Sequence, residues 1–216
     1  GWTLHKARDF PRASMGNRLF IGALCAMAAP LAPLWALPVL LAGLVVTNTY
    51  TAAAAGVVGL AVAHPAWTPW LAAVTLAVAP FIIWWRGHPR DSWNGRMHVW
   101  RLSAVALWSA PTRTRLIGFG HGAFLPLGRW WSARQWTGQH YRQAHSDLVQ
   151  VTVEWGALGV LGVGLWLASV GRHAALGDPV SGAFAAMLVL ALGAFPSYLP
   201  QTAVPMLCIA AILGAR

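Results

Sequence analysis

Charge is what this sequence has least of, and acidic charge above all. Only five of 216 residues are Asp or Glu, and charged residues make up 9% of the chain. An ordinary soluble domain carries about 25%, so a conventional water-facing surface is excluded. Lysine is nearly absent, and Arg outnumbers Lys fourteen to one. Two cysteines, Cys25 and Cys208, are too few for a disulfide framework or a cysteine-built metal site. Both lie in apolar runs and are expected as buried thiols. The first 18 residues are polar and basic with no apolar stretch, so no cleavable signal peptide is expected there. With Gly in place of Met at its start, the chain reads as cut from a longer protein. No nucleic-acid-binding module pattern is present.

What remains is apolar. Hydrophobic residues make up 57% of the chain, its mean hydropathy is positive, and it carries 14 Trp, a residue that favours membrane–water interfaces. These features predict an all-α polytopic membrane protein. Apolar segments run at about 19–33, 34–48, 51–64 and 69–85, then at 148–170, 181–196 and 200–214. Pro30, Pro33 and Pro38 leave the first two as either a tight hairpin or one kinked helix, so the expected bundle has six or seven spans. The third segment, TAAAAGVVGLAVA, is rich in small residues and suits close helix packing. The organisation is therefore a basic leader (1–18), N-terminal transmembrane helices (19–85), a large Arg- and Trp-rich extramembrane loop (86–147) and C-terminal transmembrane helices (148–216).

Residues 86–147 hold nine of the fifteen basic residues: Arg86, Arg90, Arg96, Arg101, Arg113, Arg115, Arg129, Arg134 and Arg142. Asp91 and Asp147 are its acids. Lacking strong periodicity, this stretch reads as a compact lobe on the bilayer. Counting charge alone would put it in the cytoplasm. Arginine binds phosphate bidentately and stays charged at any working pH. Such a cluster suits anionic lipid head groups or a lipid-linked phosphate. Arg96, in NGRMHVW, is set back from the start of the segment and looks more built-in than its neighbours.

The other chemistry is concentrated in HSDLVQVTVEWGALG, residues 145–159. His145 stands where the chain re-enters the apolar region and could serve as a general base, or simply hydrogen-bond at the interface. Asp147, Gln150 and Glu154 share one helical face. A polar stripe there must face protein or water, either as a functional support or as helix–helix hydrogen bonding. Gly156, Gly159 and Gly162 are expected to let a neighbouring helix approach closely. Gly118, Gly120 and Gly122 in LIGFGHGAF lack the lysine of a nucleotide loop and are expected to make a tight bend. His98, His121, His140 and His145 lack the paired spacing of a zinc site, so no metal is expected.

These residues resemble the O-antigen ligase and O-antigen polymerase family of bacterial membrane glycosyltransferases. His145 and Ser146, nine intervening residues, then Gly156 and Gly159 are similar to the family pattern H-[NSQ]-x9-G-x-x-[GTY]. The stretch GRMHVWRLSAVALWSAPTRTRLIGFGHGAF looks like the family's Arg–x–x–x–Trp opening and its G-x-G-x-G turn. ASMGNRLFIGALCAMAAPL is similar to the helix that follows a Gly–Asn pair. The likeness runs over residues 14–214 and covers about the C-terminal half of a family member. It implies transfer of a glycan from undecaprenyl diphosphate to a hydroxyl of lipid A–core, another glycan or a protein, without metal or nucleotide cofactor. By this resemblance His145 activates the acceptor, Arg96 holds the diphosphate, and 86–147 lies on the periplasmic face of the inner membrane. One departure stands out. Where family members often carry a Ser–Arg pair, this chain has Thr47, Asn48, Thr49, Tyr50 and Thr51, which leaves Arg142 as the stand-in. Two other readings stay open: an impaired fragment or non-catalytic membrane partner, and a transporter lined by Asp147 and Glu154.

Overall fold

The computed structural model describes residues 18–47, 49–86, 90–135, 144–193 and 200–216. Among them the secondary structure is entirely helical. The helices are α1 (Arg18–Ala28), α2 (Leu37–Thr47), α3 (Tyr50–Ala63), α4 (Thr68–Arg86), α5 (Arg90–Trp108), α6 (Thr112–Ile117), α7 (Phe124–Gln135), α8 (Asp147–Gly171), α9 (Pro179–Gly193) and α10 (Pro200–Gly214). Every apolar segment read from the sequence is a helix. The first two are separate, divided by short 3-10 turns around Pro30 and Pro33. Proline lacks an N–H and disfavours helix in the residue before it, so two closely spaced prolines break the run.

The chain forms two compact units. The first comprises residues 1–68, 173–190 and 196–216. Here α1 packs on α2, α3 and α10. Helix α3 buries Ala52, Ala55, Gly56, Gly59, Leu60 and Ala63. At Gly59 a side chain would strike the carbonyl of Gly182 and the ring of Pro30, so only glycine permits this approach. In the turn before α9, Asp178 Oδ2 accepts the Ser181 N–H (2.9 Å) and hydroxyl (2.6 Å) and pairs with Arg216 at 2.8 Å. Trp35, Val39, Leu41 and Val45 are exposed. Cys25 is half-buried, but Cys208 is exposed, which corrects the expectation of two buried thiols. An apolar helix has more apolar faces than this bundle covers.

The second unit comprises residues 69–172 and 191–195. The segment expected to lack periodicity is built instead from α5, α6 and α7, each packed on α8. Their shared core is Val99, Phe124, Ala144 and Val153, flanked by Leu102, Ala106, Leu107, Leu127 and Val149. The irregular look of the sequence has a physical source. Helices that cover a small core and carry exposed arginines dilute the apolar stripe on which periodicity depends.

Helix α8 has 25 residues and is the one described helix long and apolar enough to cross a membrane. Helix α4 has 19 residues, whereas α1, α2, α3, α9 and α10 have 11 to 15, short of the roughly 20 a full span needs. Helix α8 is broken at Gly156, whose φ of 66° and ψ of −161° are not helical. The break separates two chemistries. Before it, Asp147, Gln150 and Glu154 are buried; after it, Leu158, Leu161, Leu165 and Trp166 are exposed.

Candidate functional site

His145 sits immediately before α8 with φ of 55°, the only non-glycine residue at positive φ among the described residues. The left-handed region costs an L-residue about 1–2 kcal/mol, and such strain persists only where the surroundings fix it. They do so on both sides. Ala144, fully buried, has both backbone groups engaged: its carbonyl accepts the Trp100 indole N–H at 2.8 Å, and its N–H donates to Gln150 Oε1 at 3.1 Å. On the other side Ser146, in extended conformation, caps α8 by accepting the Val149 N–H at 3.4 Å. Asp147 follows in the first turn, where a carboxylate complements the positive end of the helix.

Arg96 lies one turn before Trp100 on α5, so the two share a helix face. Its Nη1 donates to the Gly193 carbonyl at 2.8 Å, at the C-terminal end of α9. A guanidinium has five donor hydrogens, and this bond uses one. Of the arginines whose side chains are described (Arg96, Arg101, Arg113, Arg115, Arg129, Arg172 and Arg216), Arg96 alone is not exposed. Burial lowers its pKa from the ordinary guanidinium value, yet an arginine remains charged under working conditions.

Burial, and secondarily the nearby Arg96 charge, push the His145 imidazole below the ordinary histidine value of 6.5. Desolvation and a neighbouring cation both disfavour imidazolium. His145 is therefore neutral at pH 7, the form in which a ring nitrogen accepts a proton.

The stripe predicted on α8 is assembled as a hydrogen-bonded chain. Gln150 Nε2 donates to Glu154 Oε1 at 3.0 Å, while its carbonyl oxygen holds Ala144. Glu154 Oε2 lies 3.5 Å from Nδ1 of His121, whose side chain is 76% exposed whereas that of Glu154 is 1% exposed. The buried carboxylate thus has a largely exposed histidine, on the turn between α6 and α7, as its neighbour. His121 also lies beside Trp155, with ring centroids 6.2 Å apart. Reading the sequence did not single out this pairing. No local signal could have, because 33 positions separate the partners.

Gly118, Gly120 and Gly122 all adopt positive φ, so the alternating glycines make a bend that side chains would resist. The bend docks on the break in α8: Phe119 N–H donates to the Val153 carbonyl and Gly120 N–H to the Glu154 carbonyl, each at 2.9 Å. These two acceptors stand where the Gly156 geometry interrupts the helical ladder. Of the α8 glycines expected to admit a neighbouring helix, Gly156 does so, receiving Leu116 at the end of α6 and the start of the bend, whereas Gly162 faces open space.

Arg142 and His140 lie outside the described residues. Among the described ones no three of His, Cys, Asp and Glu converge as metal ligands do. In place of the Ser–Arg pair, Thr47 donates its hydroxyl to the Leu44 carbonyl at 3.0 Å and stands 3.4 Å from the Thr49 hydroxyl. Comparison with protein-family models, characterised proteins and solved structures returns no match for this chain.

Proposed function

We propose that the chain is a metal-independent, inverting glycosyltransferase of the O-antigen ligase and polymerase kind. It moves a glycan from undecaprenyl diphosphate to a hydroxyl of lipid A–core or of another glycan at the periplasmic face of a bacterial inner membrane. The observation that carries this reading is the neutral His145, held in a strained turn beside Arg96, the one half-buried arginine among those whose side chains are described. Around it stand the sequence pattern running from His145 to Gly159, and exposed apolar helix faces that fit a lipid environment better than water. In this reading the helices form a bundle of six or seven spans, the short ones meeting their partners inside the bilayer.

The chemistry needs few parts. The acceptor hydroxyl gives its proton to His145 as its oxygen attacks the anomeric carbon. The bond from that carbon to the diphosphate oxygen breaks, and the diphosphate leaves with the electron pair. Arg96, joined by Arg142, holds the departing charge, as positioned cations do in phosphoryl chemistry. A single displacement inverts the anomeric centre. Asp147, Gln150 and Glu154 support the turn from within α8.

A second reading, a membrane partner that binds the lipid-linked glycan without transferring it, is favoured by the threonines at 47, 49 and 51 in place of an arginine. One experiment serves both. Wild-type protein, His145→Ala and Arg96→Ala are assayed in lipid discs for donor binding and for glycan transfer. The expected result is transfer by the wild type, donor binding without transfer by His145→Ala, and weakened binding by Arg96→Ala. Donor binding without transfer by the wild type establishes the second reading. Undiminished transfer by both variants refutes the mechanism.

A further inference from the structure

We propose that Trp100 is a positioning residue, which through its indole N–H holds His145 in the left-handed turn that aims the imidazole. This inference rests on His145 being the base of the transfer reaction. The turn has no glycine to relieve it, so its geometry must come from the flanking peptide groups. The residue before His145 has no side-chain handle, because Ala144 carries only a methyl group, buried against Val99, Phe124 and Val153. What orients it is its backbone: the carbonyl taken by Trp100 Nε1 at 2.8 Å and the N–H taken by Gln150 Oε1 at 3.1 Å. One anchor comes from α5 and the other from α8. The pair therefore ties the turn to two helices, and neither bond can shift without moving the peptide that leads into His145.

The same helix face that carries Trp100 carries Arg96 one turn earlier. The Arg–x–x–x–Trp spacing thus places on α5 both the charge that lowers the His145 pKa and the bond that fixes its backbone. Indole is suited to this work. It presents a rigid, directional N–H from a ring whose body packs among apolar groups, whereas a phenyl ring of similar burial offers no donor.

The test uses the full chain in lipid discs with a lipid-diphosphate-linked glycan as donor. Trp100→Phe removes the donor hydrogen and keeps an aromatic ring. Incorporation of 3-benzothienylalanine at position 100 removes it with the bicyclic shape intact, should the phenylalanine variant fold poorly. For either, the expected result is a fall in kcat of order tenfold, a donor KM unchanged within twofold, and a His145 pKa that rises toward the ordinary value as the loosened ring gains solvent. The pKa is read by NMR of labelled imidazole, which does not depend on turnover. A purely packing role predicts lower thermal stability with kcat per folded molecule and the His145 pKa unchanged. That outcome, alongside a His145→Ala variant that has lost transfer, overturns the positioning role. Full transfer by His145→Ala instead overturns the base on which it rests.

Discussion

Gly118 and Gly156 meet backbone to backbone. Both lie at positive φ, 77° and 66°, and a Cβ built on Gly156 would land on the amide nitrogen of Gly118 and the carbonyl of Leu116. One glycine ends α6 and the other breaks α8. Their contact lets Phe119 and Gly120 donate to carbonyls that the broken helix leaves available, and so fixes His121 over Glu154.

Substituting these glycines separates strain from collision. Gly156→Ala should suffer both, losing more than the 1–2 kcal/mol of left-handed strain and releasing the 118–122 bend. Gly122→Ala, at φ 74° with nothing near its missing side chain, should lose about 1 kcal/mol from strain alone. Thermal unfolding in detergent ranks the two. Equal losses would show that the close approach at Gly156 has no energetic weight.

The His145 environment predicts a pH response with a definite sign. Burial and Arg96 favour the neutral ring, so His145 should titrate below 6.5. Its contribution to folding is whole above that pH and declines as pH falls through the lower folded value. Arg96→Gln removes the secondary cause and leaves burial in place. The pKa read by imidazole NMR should rise, yet stay below 6.5. No movement in this variant would place the Arg96 charge too far away to matter.

Gln150 holds two partners at once, the Ala144 N–H and the Glu154 carboxylate. Gln150→Leu strands the buried Ala144 N–H, at about 1–3 kcal/mol for a group left unmet, and removes one donor from Glu154. A drop in denaturation midpoint of that size is expected. Gln150→Glu should also destabilise, because it sets a second carboxylate against Glu154. A stable Gln150→Glu protein would show that the amide's donation to Glu154 carries no weight.

At the start of α9 the Asp178 carboxyl is pulled two ways. Burial raises its pKa, but bonds from the Arg216 and Ser181 side chains and from the Ser181 and Val180 backbone outweigh this and hold it at about 2. Its folded value is depressed, so its stabilisation is complete above 3.8 and is lost as pH falls toward about 2. Asp178→Ala should cost about 1 kcal/mol at pH 7, the usual worth of such a cap, and the gap from wild type should close in strong acid. A gap independent of pH would show that the carboxylate's charge plays no part.

The sequence by itself determined the all-α class of this protein and the positions of its apolar helices. Runs such as 51–64 and 148–170 can be read locally, because a helix satisfies its own backbone and its ends are marked by Pro, Gly or a capping residue such as Ser146. It also determined which side chains share the α8 face, since spacing along a helix fixes direction. Tertiary structure alone decided what those side chains meet. That Gly156 breaks α8 and admits the end of α6, that the bend at Gly118 fills the break, and that Trp100 holds the peptide before His145 are facts about residues dozens of positions apart. Such contacts follow from how the helices pack around Val99, Phe124, Ala144 and Val153. Neither composition nor periodicity carries that information, because both record only what each residue does along its own segment.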